Sequence, residues 1–123
     1  MSDAKYQGPR RIGQYLYLKP SALEEYKKCH AEVWPKVLEQ IKDSNIKDYS
    51  IFLFMQPRPT LFASMKYVGN NFDDDMKRMA DNSVVREWWA MTDGMQESPV
   101  EGATGSHGGP GWWGVTEEVF YME

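Results

Sequence analysis

The chain has 123 residues, enough for one domain with a real core, 1–123, but not for two. Its hydrophobic share of 41% and aromatic share of 14% are typical of globular proteins, and no apolar run reaches membrane-spanning length. A net charge of −4 argues against nucleic-acid binding, which needs a basic surface. We therefore expect a compact acidic domain with neither a nucleic acid nor a membrane as its partner.

Cysteine and histidine content narrows the chemistry further. A single cysteine, Cys29, excludes a disulfide within the chain, and two unclustered histidines argue against a zinc site. Residues 1–10 are polar and lack the apolar core of a secretion signal. These features predict a cytoplasmic protein with no metal site.

The first half of the chain predicts a strand and a long interrupted helix. Residues 12–18 are rich in strand-forming side chains, and the capping-box pattern at 21–24 begins a helix that runs to about residue 43. Pro35 lacks an amide hydrogen and clashes with the carbonyl four residues earlier. We therefore expect a kink or break beginning beside His30.

The second half predicts three more strands and a broken helical connection. Asn71 caps a short helix whose Asp73–Asp75 run favours the helix dipole and is expected to be solvated rather than to bind magnesium. The remaining elements are strands at 48–54, 60–68 and 115–122 and a second short helix from about residue 84. The order β-α-β-β-α-β predicts an α+β fold, the ferredoxin-like sandwich with both helical layers on one face of the sheet.

The second predicted strand carries apolar side chains on both faces. Its alternation places Tyr49, Ile51 and Leu53 on one face and Ser50, Phe52 and Phe54 on the other. A monomer would leave an apolar patch larger than most soluble proteins expose. We expect a second copy to cover it, which gives a homodimer of the dimeric α/β-barrel type.

Three side chains of the first helix form the main candidate site. Tyr26, His30 and Trp34 are four residues apart, so they share a helix face that points inward. An imidazole between a phenol and an indole can move protons beside a small ligand, although a core histidine bonded to backbone is the alternative interpretation. Cys29 is expected to diverge from His30 and to act as a small buried hydrophobe.

Further aromatic residues are candidates for lining a pocket. Tyr49 opens a strand and either reaches over a pocket or is an ordinary strand aromatic. Trp88 and Trp89 point about 100° apart on a helix, so one is expected in the core and the other at a cavity, where it can stack on a sugar. Trp112 and Trp113 are a candidate lid at the end of the long glycine-rich loop 96–114.

Outside the polar start and the glycine-rich loop, the whole chain resembles the L-rhamnose mutarotase family. The matching motifs are Glu25-Tyr26-x-x-x-His30, Val33-Trp34-Pro35, Asp48-Tyr49-Ser-Ile-Phe, Arg86-Glu-Trp88-Trp89 and Glu118-Val119-Phe120. The resemblance implies a dimeric isomerase that interconverts the α and β anomers of L-rhamnose or a related 6-deoxy sugar without metal or organic cofactor. It implies His30 as the proton donor, with Tyr26, Tyr49, Trp88 and Trp89 contacting the sugar.

Two other functions use the same features. A cofactor-free cyclase or oxygenase of the same architecture would use His30 as an acid or base on an aromatic or polyketide-like substrate. A non-catalytic module would bind a small molecule without turnover. In the mutarotase interpretation, in which His30 donates the proton, the conjugate base is Tyr26, Tyr49 or an ordered water.

Overall fold

The structure, a computed structural model, describes residues 10–123, so most of the polar N-terminal segment lies outside the described residues. Within that part of the chain, no helix has the length and apolar character needed to cross a membrane. The strands are β1 (Arg10–Leu18), β2 (Ile46–Phe54), β3 (Thr60–Tyr67), β4 (Gln96–Glu97) and β5 (Gly114–Val115). The helices are α1 (Leu23–Ala31), α2 (Pro35–Asp43), α3 (Phe72–Asp81) and α4 (Ser83–Asp93).

The strands form one antiparallel sheet in the order β2-β3-β1-β4, and β5 pairs with β1 on the same edge as β4. This is the strand order of a ferredoxin-like sandwich, so the predicted α+β fold is confirmed. The core lies where the inner face of β1 and β3 meets α1, and its buried members are Leu16, Leu18, Ala22, Tyr26, Leu61 and Met95. The core therefore includes one of the predicted site residues.

The break in the long helix is confirmed. The helix ends at Ala31 and a new one begins at Pro35, with three non-helical residues between them. The capping-box prediction is wrong, because α1 begins at Leu23 with no side-chain cap. A short 3₁₀ turn from Pro20 to Ala22 precedes it, so Ser21 lies inside that turn rather than at the N-cap.

The last strand is much shorter than predicted, since only Gly114 and Val115 pair with β1. Beyond them the chain is tied to β1 by side chains: Thr116 Oγ1 donates to the carbonyl of Gly13, and Arg11 lies 3.9 Å from Glu118. The apolar side chains that follow are exposed, and Val119 is 87% exposed. Because the described residues bury neither face of this segment, its alternating pattern does not produce a full strand.

Asparagine side chains cap both α3 and α4, and the first of these caps was predicted. Asn71 caps α3 by accepting a hydrogen bond from the amide of Asp74, as expected. The cap of α4 is Asn82, whose Oδ1 accepts from two successive amides at 2.9 and 3.2 Å. The two caps fix the corner between α3 and α4 and so set the direction in which α4 leaves it.

Candidate active site

Three elements bring four rings together. Tyr26 and His30 stack on α1 with ring centroids 4.1 Å apart and an interplanar angle of 26°. Trp88 of α4 meets His30 edge-on at 5.2 Å, and Trp34, in the break before α2, meets Trp88 edge-on at 5.1 Å. We call these four residues the aromatic cluster. Tyr26 and His30 share a face of α1 as predicted, but Trp34 does not lie on that helix, because α1 ends at Ala31, and it reaches Trp88 from the break instead.

The tautomer of His30 follows from its hydrogen bond. Its Nδ1 lies 2.9 Å from the backbone oxygen of Tyr26, and a carbonyl oxygen can only accept, so Nδ1 carries the hydrogen. Nε2 is then the basic nitrogen, and it has no hydrogen-bond partner within residues 10–123. Burial lowers the pKa of His30 below its usual 6.5, although the Tyr26 carbonyl acts in the opposite direction. The imidazole is therefore neutral at pH 7, with a free acceptor.

Cys29 does not diverge from His30 as expected. Its Sγ lies 3.3 Å from His30 Nδ1 and 3.3 Å from the backbone oxygen of Tyr26. Both side chains lean back over the preceding helical turn and converge on the same carbonyl. Burial raises the pKa of the Cys29 thiol, which keeps it protonated and disfavours a nucleophilic role.

Tyr26 stacks on the imidazole, and a second phenol, Tyr49, lies near Tyr26. Tyr26 is only 5% exposed, and burial, followed by the neighbouring Tyr49, raises the pKa of its hydroxyl. Tyr49 lies where the register of β2 shifts between Lys47 and Ser50, so a bulge aims its side chain. Although 38% of Tyr49 is exposed, burial of its hydroxyl raises its pKa to about 12. Both phenols are protonated near neutral pH and can donate.

The two tryptophans of α4 have different environments. Trp88 is 6% exposed and joins the aromatic cluster. Trp89 is half-buried on the next face of the helix and makes no ring contact with the cluster among the described residues. The two indoles therefore differ in burial, with Trp88 beside the imidazole, and a cavity lined by one of them stays a prediction.

A residue that sequence reasoning missed connects the glycine-rich loop to the site. Gln96 is 5% exposed; its Oε1 accepts from Trp112 Nε1 at 2.9 Å, and its Nε2 lies 3.4 Å from the hydroxyl of Tyr26. Trp112 and Trp113 both pack against the core cluster. No local motif marks Gln96, since only the tertiary fold brings residues 26, 96 and 112 together.

The middle of the glycine-rich loop contacts α4 at two places, Asp93 and Arg86. Ser106 donates its backbone amide and its hydroxyl to Asp93 at 2.8 and 2.5 Å. His107 lies exposed beside Arg86, with 2.6 Å between the nitrogens, so it is separate from the aromatic cluster. His30 is thus the histidine of the candidate site.

An open depression of about 670 Å³ lies on the helical side of the molecule, between α2 and the start of α4. Its lining is mostly charged or amidic and contains none of the predicted site residues: Lys36, Glu39, Gln40, Lys42, Asp43, Asn45, Asn82 and Val84. In the described part of the chain, no three His, Cys, Asp or Glu side chains form a metal-binding group. The candidate groups for chemistry are therefore the aromatic cluster, which includes the phenol of Tyr26, and the separate phenol of Tyr49.

Comparison with known proteins identifies the family that this chain resembles. A family model described as L-rhamnose mutarotase matches residues 11–122. An L-rhamnose mutarotase of Formosa agariphila is 32% identical over 114 residues, which are 92% of this chain and 98% of that protein. One from Burkholderia ambifaria is 36% identical over 96 residues, 77% of this chain and 82% of that protein.

The crystal structure of the L-rhamnose mutarotase from Formosa agariphila has the same fold. It matches with a TM-score of 0.68 at 26% sequence identity and covers 93% of this chain and 99% of that chain. A mutarotase is a carbohydrate isomerase, so these matches support the sugar interpretation over the cyclase or oxygenase alternative. The chain belongs to the L-rhamnose mutarotase family.

Proposed function

We propose that this protein interconverts the α and β anomers of L-rhamnose, or a related 6-deoxy sugar, at the aromatic cluster. Family membership gives the reaction class, and the fixed tautomer of His30 is the observation that carries the mechanism. A neutral imidazole with a free Nε2 is stacked on a tyrosine that keeps its proton. One acceptor and one donor side by side are what mutarotation requires.

In this mechanism His30 Nε2 removes the proton of the anomeric hydroxyl while Tyr26 gives its proton to the ring oxygen. The bond between the anomeric carbon and the ring oxygen breaks, which leaves an open-chain aldehyde. After the aldehyde rotates, the ring oxygen attacks its other face and returns its proton to Tyr26. His30 returns its proton to the new anomeric oxygen, so both groups are regenerated and no electrons are exchanged.

This scheme refines the role that family resemblance implies for His30. The imidazole begins as the acceptor, because it is neutral, and becomes the proton donor as the ring closes. Tyr49 and Trp88 would contact the sugar, the first by its hydroxyl and the second by its ring. Trp89, half-buried on the adjacent helix face, is the outer candidate for such a contact.

Replacing the imidazole tests the mechanism directly. We expect His30→Ala to lower the catalysed rate about 10²- to 10⁴-fold, which is the usual contribution of a general acid–base group. Its far-ultraviolet circular dichroism spectrum should be unchanged. Exchange between the two anomer signals of L-rhamnose, measured by NMR, gives the rate above the uncatalysed background. The matched control is His107→Ala, which removes the exposed histidine at Arg86. Undiminished anomer exchange in His30→Ala would refute the assignment.

We also propose that the working form is a homodimer joined through the outer face of the sheet. Phe52 and Phe54 are 58% and 47% exposed on that face, beside the partly buried ring of Phe62 on β3. Aromatic side chains in such a continuous patch favour burial against a second copy. A cytoplasmic location is proposed on the ground of cysteine usage, since Cys29 is the chain's one cysteine.

Sedimentation of two surface variants tests the dimer. Phe52→Ser would reduce the mass at micromolar concentration to that of a monomer. Leu38→Ser is the control, because Leu38 is 53% exposed on α2 rather than on the sheet, and it should leave the mass of the dimer unchanged. A wild-type protein that sediments only as a monomer at micromolar concentration would contradict the proposal.

A further inference from the structure

Gln96 is a buried polar side chain outside the motifs that define the family resemblance. It is 5% exposed at the start of β4, so its amide must find partners within the protein. Its two partners are Trp112 Nε1, at 2.9 Å, and the hydroxyl of Tyr26, at 3.4 Å. The amide therefore bridges the glycine-rich loop and the stacked tyrosine of the site.

The chemistry of Trp112 fixes which way this amide faces. An indole nitrogen can only donate, so the Gln96 atom that meets it must be the carbonyl oxygen. The NH₂ group then faces Tyr26, and the phenol oxygen must accept from it. With its oxygen accepting from Gln96, the hydrogen of Tyr26 points to another acceptor.

The two ends of the loop hold Trp112 in place. Gln96 and Gly114, at opposite ends of the loop, lie in strands that pair with β1, and Ser98 Oγ donates to the carbonyl of Trp112. If the indole were removed, the amide would lose the donor that fixes its direction and could turn over. A turned amide would present its oxygen to Tyr26 and take up the phenol hydrogen.

We infer that Gln96 and Trp112 are positioning residues that direct the hydroxyl hydrogen of Tyr26 toward the sugar. This inference rests on the proposed function, because it gives Tyr26 the role of proton donor. The hydrogen bond from Gln96 also lowers the pKa of Tyr26 against the larger effect of burial, so it stabilises the phenolate that forms as the proton leaves. Trp112 of the glycine-rich loop thereby orients the hydroxyl of Tyr26, the proton donor, through the side-chain amide of Gln96.

Gln96→Glu is the sharpest test, because the substitution keeps the shape and removes the donor. The ionised carboxylate of this variant accepts from both Trp112 and Tyr26, which turns the Tyr26 hydrogen away from the sugar. We expect kcat for anomer exchange at pH 8 to fall at least about tenfold while KM changes less than about threefold. The control is Glu97→Gln, the reverse change at the adjacent exposed position, which should leave kcat unchanged.

The pH dependence separates positioning from a general structural effect. A protonated carboxyl donates to Tyr26 as the native amide does, so the deficit of Gln96→Glu relative to wild type should narrow as pH falls through the pKa of that carboxyl. Trp112→Phe provides a second variant that retains an aromatic ring, and its kcat should fall about three- to tenfold. A Gln96→Glu enzyme as active as wild type, or a deficit equal at every pH, would overturn the inference.

The outcomes also separate this inference from the proposed function. If the wild-type protein catalyses no anomer exchange, the proposed function itself fails. If wild type is active and His30→Ala is not, but Gln96→Glu and Trp112→Phe retain full kcat, only the positioning role is wrong.

Discussion

A buried carboxylate on α3 links the helical layer to the turn before β2, the strand that carries Tyr49. The loss of one hydrogen bond to this carboxylate has a calculable cost. Asp75 is 8% exposed and accepts three hydrogen bonds: from Tyr67 at 2.6 Å, Asn45 at 2.9 Å and Arg78 at 2.6 Å. Asn45 has a positive φ of 65° and stands immediately before β2. The network therefore fixes the backbone turn from which β2 starts.

Tyr67→Phe removes one of these bonds, together with the hydrogen bond that the Tyr67 hydroxyl accepts from the amide of Asn71 at 2.9 Å, and leaves the ring in place. Hydrogen bonds to charged groups contribute about 1.5–3 kcal/mol, and Tyr67 is itself 4% exposed, so water does not replace the lost hydroxyl well. We expect the free energy of unfolding to fall by about 2 kcal/mol. For a chain of this size that moves the urea midpoint by about 1 M.

The pH dependence of this difference has a definite sign. The hydrogen bonds, that of Tyr67 first, lower the pKa of Asp75 to about 2 in the folded protein, below its ordinary value of 3.8. Stabilisation from the network is thus complete above about pH 4 and is lost as the pH falls toward 2. The gap between wild type and Tyr67→Phe should accordingly be larger at pH 7 than at pH 3.

The assay is urea unfolding followed by circular dichroism at both pH values. Tyr121→Phe is the matched control, because Tyr121 is 50% exposed and its loss of a hydroxyl should cost less than about 0.5 kcal/mol. Equal urea midpoints for Tyr67→Phe and wild type at pH 7 would show that the Asp75 network does not stabilise the fold.

Three further outcomes follow from local geometry. Because burial lowers the pKa of His30, the fall of kcat for anomer exchange on the acid side of a pH–rate profile should lie at a lower pH than an ordinary imidazole would give, and a fall centred above pH 6.5 would contradict the neutral imidazole. Asn82→Ala removes the cap of α4 and should cost about 1 kcal/mol in urea unfolding; an unchanged midpoint would exclude the cap as a stabilising group. Gly114→Ala would put a methyl group 2.6 Å from Cζ of Tyr15, so we expect a loss of about 1–3 kcal/mol, and an unchanged melting temperature would contradict that packing.

The parts of this structure that the sequence predicts correctly depend on neighbours along the chain. The helix break before Pro35, the Asn71 cap and the common helix face of Tyr26 and His30 each follow from contacts within one or two helical turns. Propensity and spacing describe such contacts directly. The order of the larger elements then restricts the topology, and the ferredoxin-like arrangement is the result.

The parts that the sequence does not predict depend on distant partners. The sequence predicts Asp75 in a solvated acidic turn, yet Tyr67 and Asn45, from another part of the fold, bury and bind it. Gln96 resembles any other polar residue near a loop until Trp112 and Tyr26 are seen on either side of its amide. Sequence spacing carries no signal for such three-body contacts.

Pro35 lies at the helix break that the sequence predicts, and its place there explains why the break is not costly. In the middle of a continuous helix proline would be expensive, but here it occupies the first turn of α2, where proline is favoured. The residue before a proline avoids helical geometry, and Trp34 accordingly has an extended backbone with ψ of 130°. That conformation lets the Trp34 ring meet Trp88 while His30 meets the same indole from the end of α1. Because proline is favoured in the first turn of a helix, the helix break at Pro35 does not imply backbone strain. The break also brings Trp34 to Trp88 and so completes the aromatic cluster beside the imidazole.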